Sequence, residues 1–174
     1  ARSHQWEQSY SEWLTQNADS IARMTVKTAP WTKASQWAEP YLKQAEEQGL
    51  ISVCIYGTDM TQSMTRFEFA STVMRIYEAA GGTPVAITAR FSDTSDADIR
   101  SAATLGIVNG TGNGSFSPRG LLTREQAVTM LARAYALFRD VPEDGAELPY
   151  SDAAQIADYA RQPAALLTGL GVLS

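Results

Sequence analysis

The sequence holds 1 cysteine, 1 histidine and few cations, and each scarcity closes off some chemistry. A single Cys54 permits neither an internal disulfide nor a cysteine-based zinc cluster. It stands in Leu50-Ile51-Ser52-Val53-Cys54-Ile55-Tyr56, an apolar context in which a free thiol is expected to be core rather than nucleophile. His4 lies in the first turn of the chain, so no Ser-His-Asp or Cys-His set assembles around it. We therefore expect no enzyme, no metal and no cofactor. Lys+Arg 14 against Asp+Glu 19 leaves a formal net charge of −5, which disfavours nucleic acid as a partner because no cation excess exists to displace phosphate counterions. An anionic ligand would have to be held by a few placed cations. No apolar run approaches the roughly 20 residues of a spanning helix, and no secretory leader pattern opens the sequence. The expectation is a soluble chain, mature or trimmed. What remains, 174 residues of which 44% are apolar, suits one ordinary core or a few small modules sharing one.

What is present is a repeat. Leu121–Tyr135, LLTREQAVTMLARAY, follows the plan of Ser63–Tyr77, SMTRFEFASTVMRIY. Thr65 and Thr123, Arg66 and Arg124, Arg75 and Arg133, and Tyr77 and Tyr135 all pair at one offset, 123 − 65 = 58. Upstream, Leu42, Ala45 and Gly49 match Ile99, Ala102 and Gly106 at 106 − 49 = 57. Phe91-Ser92-Asp93 returns as Tyr150-Ser151-Asp152 at 150 − 91 = 59. Two and a half units of helix, loop and helix result.

In chain order, Trp6, Tyr10, Trp13, Leu14, Ile21 and Met24 fall mostly three or four apart, which predicts an amphipathic helix whose tryptophans pack on the rest of the domain. Lys27–Lys33 reads as a linker, because Pro30 disfavours helix before it. Helical spacing then runs from Trp37 to Gly49, and Ile51–Tyr56 reads as a short extended piece. Thr65 opens a helix that buries Phe69, Ala70, Val73, Met74 and Tyr77 and stops at Gly81-Gly82. Asn109–Pro118 is a turn-rich loop with Phe116 as its apolar anchor; it contains no carboxylate, so a calcium site is not expected. Val141–Pro149 is a second polar linker, and the third unit divides into Ile156–Ala160 and a stretch beginning at Pro163.

The repeated helix start carries the functional question. Thr65-x-x-Glu68 and Thr123-x-x-Gln126 fit the capping box, in which the hydroxyl and the longer side chain each satisfy an orphan amide. Capping explains Thr65, Glu68, Thr123 and Gln126. It does not explain Arg66 and Arg124, since a cation in the first turn opposes the helix dipole by a few tenths of a kcal/mol. Two explanations stand side by side: an ion pair with an Asp of the neighbouring repeat, or an anionic ligand held by guanidinium and backbone amides.

Phe91-Ser92-Asp93, Gly106-Ile107-Val108-Asn109-Gly110, Gly114-x-Phe116-x-Pro118 and Leu122-Thr123-Arg124-Glu125-Gln126, in this order, resemble an S-layer homology module. Trp37-Ala38, Gly49-Leu50-Ile51 and Met64-Thr65-Arg66-Phe67-Glu68 carry the likeness in the first unit, and Tyr150-Ser151-Asp152, Tyr159-Ala160 and Gly171-Val172 in the third. The resemblance implies an all-α fold of tandem helix-loop-helix repeats packed as a pseudo-threefold helical prism, here with an extra N-terminal helix. Residues 1–32 would be that helix and a linker, 33–88 the first repeat, 89–147 the second and 148–174 part of a third. It also implies a noncatalytic anchor at the outside of a bacterial cell, whose inter-repeat grooves hold an anionic secondary cell-wall polysaccharide, often through a pyruvylated sugar. Self or other surface proteins are further partners, and a scaffold that has kept the fold without the sugar is the alternative. The family's Thr-Arg-Ala-Glu motif falls on Thr65, Arg66, Phe67 and Glu68 and on Thr123, Arg124, Glu125 and Gln126, and its module-opening Asp and Trp on Asp93, Asp152, Trp37 and Tyr159. Those are the implied ligand residues, with a plain core role for Trp37 and Tyr159 equally open.

Overall fold

The computed structural model describes residues 30–141 and 148–173. The expected N-terminal helix, with Trp6 and Trp13, and most of the Val141–Pro149 linker lie outside them. The described chain is helix-rich. Its helices are α1 (Glu39–Glu47), α2 (Arg66–Ala79), α3 (Ala97–Thr104), α4 (Arg124–Ala136) and α5 (Asp158–Gly169). Two short strands, β1 (Trp31–Lys33) and β2 (Thr58–Asp59), pair in parallel.

That pairing corrects the sequence at two points. The stretch read as a linker ends in β1, whose Trp31 is buried, and the Gly57 amide donates to the Pro30 carbonyl just before it. The piece read as extended is a 3-10 turn at Val53–Ile55, closed by Ile55 N–H donating to Ser52 O. Cys54 is half-buried there, with Sγ 3.3 Å from Ser52 Oγ. Ser52 continues into a buried polar chain: its hydroxyl is 2.8 Å from Ser71 Oγ, which donates to Asp98 Oδ2 and so ties the turn through α2 to α3.

Both capping boxes form. The Glu68 amide donates to Thr65 Oγ1 and the Thr65 amide to Glu68 Oε2; the Gln126 amide donates to Thr123 Oγ1 and the Thr123 amide to Gln126 Oε1. At the other end α1, α3 and α5 stop alike. Gly49, Gly106 and Gly171 take φ of 70°, 76° and 70°, and the amide after each reaches back to Ala45 O, Ala102 O and Leu167 O. This is the left-handed closure that a Cβ would oppose. Pro163 does not divide the last helix. It stands at the sixth position of α5, where its missing N–H forfeits a single bond near the N-terminus.

Two apolar clusters organise the packing. Ala70, Val73, Met74 and Tyr77 of α2 meet Ile99 and Ala102 of α3, Phe116 of the loop, and Met130 and Ala134 of α4. Val128 and Ala132 of α4 meet Ala164 and Leu167 of α5. Helix α4 therefore buries two opposite faces, and Leu131 and Tyr135 on it are only half-buried. Helix α1 buries none of its residues, and Trp37 and Tyr41 are 76% and 70% exposed, which removes the core role open for Trp37.

Candidate functional site

The first Thr-Arg helix start is closed. The strand-like segment before α4 lies antiparallel to the residues before α2, bridging Thr65 and Leu121. The Arg66 amide donates to Gly120 O at 2.9 Å and the Phe67 amide to Pro118 O at 3.0 Å, so loop carbonyls take the amides that an anion would have used. The Arg66 side chain follows the same route. Nε donates to Phe116 O at 2.9 Å, Nη2 to Asn109 O at 2.8 Å, and Nη1 reaches Gln126 Oε1 at 3.5 Å, while the guanidinium lies 4.6 Å from the centre of the Phe116 ring. Burial pulls its pKa below the ordinary guanidinium value. Neither explanation offered for Arg66 describes these bonds: its partners are two backbone carbonyls and the Gln126 side chain of the next repeat, not an Asp and not an open groove.

Asp93 completes the joint from the other side. Its carboxylate accepts from the Phe116 amide at 2.9 Å and the Ser117 amide at 2.8 Å. These two bonds hold its pKa below the usual carboxylate range, the Phe116 bond contributing most. Phe116 is fully buried, its ring 5.4 Å from that of Phe91.

The second helix start faces a groove. Arg124 and Glu125 at the head of α4, Tyr150 and Asp152 of the following turn, and Ala160 and Ala164 of α5 enclose about 300 Å³, with Val128, Gln155, Ile156 and Leu173 completing the wall. The Glu125 carboxylate bridges the junction: Oε1 accepts from the Ala157 amide at 2.9 Å, ahead of α5, and Oε2 from the Tyr159 hydroxyl at 3.3 Å. Desolvation, and after it the Glu125 charge, push the Tyr159 phenol above its ordinary pKa. Opposite, the Tyr150 hydroxyl lies 2.8 Å from Thr168 Oγ1. The groove has an apolar floor, a guanidinium on one rim and carboxylates beside it.

The family model of the S-layer homology domain matches residues 91–128, from the aromatic that packs on Phe116 to the first turns of α4. The chain carries an S-layer homology domain. It is also similar to an endoglucanase of Bacillus sp. (strain KSM-635), 33% identical over 136 residues, which cover 74% of this chain and 14% of that protein. An amylopullulanase of Thermoanaerobacterium thermosulfurigenes is 30% identical over 107 residues, or 57% of this chain and 6% of that protein. The chain thus spans a small fraction of the length of either relative. The S-layer homology domain is a noncatalytic anchoring module of the cell surface. No helix among the described residues is long and apolar enough to cross a membrane.

The residues picked out in sequence fall into three groups around this S-layer homology domain. Arg66, Thr65, Glu68, Asp93 and Gln126 belong to the closed joint or its caps. Arg124 and Asp152 line the groove, with Thr123 capping α4 at its edge and Tyr159, 53% exposed, beside it through Glu125. Trp37 stands apart, in the exposed turn before α1. In sequence Glu125 is named only as a position of the implied motif; its bridge to the Ala157 amide and the Tyr159 hydroxyl joins residues more than 30 apart and has no local signal.

Proposed function

We propose that the chain anchors a larger extracellular protein by holding an anionic secondary cell-wall polysaccharide, with a pyruvylated sugar as one form of its charge, in the groove between α4 and α5. In this reading the three units pack as tandem repeats of a pseudo-threefold prism, and only the junction after the second repeat presents its Thr-Arg motif to a ligand. The observation that supports it is the difference in burial between two equivalent arginines, Arg66 beneath the surface and Arg124 exposed on the rim of a groove. A guanidinium at a helix N-terminus suits a carboxylate, and the apolar floor suits the face of a sugar ring. Endoglucanase and amylopullulanase are names of the relatives; catalysis in any parent protein would reside outside this module. Sedimentation with purified wall polysaccharide decides the matter. Wild type should be retained and Arg124→Ala released; equal retention would remove Arg124 from the mechanism, and no retention of either would remove the proposal.

The scaffold reading is favoured by a separate observation, the loss of the first Thr-Arg motif to an internal joint. It predicts concentration-dependent self-association that added polysaccharide does not alter, which sedimentation velocity would detect.

A further inference from the structure

Helices α3 and α5 are each packed by the helix that precedes them in the chain. Val73 and Met74 of α2 share a core cluster with Ile99 and Ala102 of α3, and Val128 and Ala132 of α4 share one with Ala164 and Leu167 of α5. The four receiving residues are at most 6% exposed. On α1 the same positions fall to Leu42 and Ala45, because one kind of helix stop aligns all three helices: the amides of Leu50, Ile107 and Val172 donate to Ala45 O, Ala102 O and Leu167 O. Leu42 and Ala45 are only half-buried. Tyr41 is exposed, although its counterpart Asp98, at 98 − 41 = 57, accepts a hydrogen bond from Ser71 of α2. A face that α3 and α5 bury thus stays uncovered on α1 among the described residues.

We infer that this face seats the chain's own segment Trp6–Leu14, which stands to α1 as α2 stands to α3. The segment lies outside the described residues, and its order, spacing and distance along the chain identify it as the occupant. It precedes α1, as α2 precedes α3 and α4 precedes α5. Trp6, Tyr10, Trp13 and Leu14 keep the spacing of Arg66, Ala70, Val73 and Met74 on the buried side of α2, at 66 − 6 = 60. Leu14 precedes Leu42 by 42 − 14 = 28 positions, which falls between Met74 to Ile99 at 99 − 74 = 25 and Ala132 to Ala164 at 164 − 132 = 32. The chemistry is apolar on both sides: two indole rings, a phenol ring and a leucine against Tyr41, Leu42 and Ala45, so removal of that surface from water drives the contact. Periodicity assigns the tryptophans only to the rest of the domain, and the repeat geometry narrows this to one face of one helix. No residue of the groove takes part, so the inference is independent of the polysaccharide reading.

The test uses the full chain with the photoreactive residue p-benzoylphenylalanine in place of Tyr41, irradiated at high dilution and digested with trypsin. A cross-link within one chain, joining the peptides Ser3–Arg23 and Ala34–Lys43, is expected. A cross-link between two chains, one to another part of the same chain, or none at all would overturn the inference. Hydrogen exchange gives a second reading that needs no probe at Tyr41. In a full chain carrying Trp13→Ser and Leu14→Ser, the amides of α1 should exchange about tenfold faster than in the wild type, with those of α3 and α5 unchanged. Equal rates in α1, or a rise shared by every helix, would count against the docking.

Discussion

A guanidinium beneath the protein surface must give its N–H groups to acceptors other than water, and Arg66 finds them in the carbonyls of Phe116 and Asn109. Arg66→Ala should leave both carbonyls short of a donor and cost about 2–4 kcal/mol in urea unfolding. Arg66→Lys should recover only part of this, because an ammonium lacks the planar fork that spans two carbonyls and stacks on a ring; full recovery would show that charge alone matters. Asp93 makes the complementary prediction in pH. Its folded pKa lies below the ordinary value, so the stability it lends is fully present above about pH 4 and disappears as pH falls through the folded value. The amides of Phe116 and Ser117 should therefore shift together in a single acid transition below about pH 4 in NMR titration, and Asp93→Asn should abolish it. A transition that persists in that variant would assign the loop's acid response elsewhere.

At the scale of helices, the caps are the most local devices in the molecule and the easiest to perturb. Thr65→Ala and Thr123→Ala should each lower stability by about 1 kcal/mol in denaturant midpoint. The first should cost more, since the Thr65 hydroxyl also lies 2.8 Å from Glu68 Oε2; the reverse order would deny that contact any weight. These caps were legible in sequence because the whole interaction lies within four residues. The glycine stop of α1, and that of α3 through its match to it, were legible for the same reason, whereas Phe116 was legible only as the large apolar residue of a polar loop, its partners Phe91 and Arg66 lying far off in sequence. What escaped was non-local. Trp31–Lys33 reads as a linker until Thr58–Asp59 pairs with it, and the partners of Arg66 are main-chain carbonyls, which no side-chain pattern announces. The two buried faces of α4 have no single-stripe signature either, since the helix lies between two clusters and a period of 3.6 describes only one. The groove was legible as a candidate through Arg124 and Asp152, but its asymmetry with the first junction was not, because the two motifs differ little in sequence and greatly in what is docked on them.

For the molecule as a whole, the joint makes the first repeat depend on the second. A fragment ending at residue 90 would expose the α2 amides now bonded to Pro118 O and Gly120 O and remove the Phe116 side of the core. Such a fragment should show less helix by circular dichroism than its share of the full chain; native-like helix content would show that the repeats fold independently. The bond between Arg66 and Phe116 joins positions 50 residues apart, and it runs forward along the chain. During synthesis, helix α2 is made before the loop that finishes its N-terminus. The first repeat would thus wait, partly assembled and with an apolar face uncovered, until that loop emerges, so the direction of synthesis and the direction of assembly coincide.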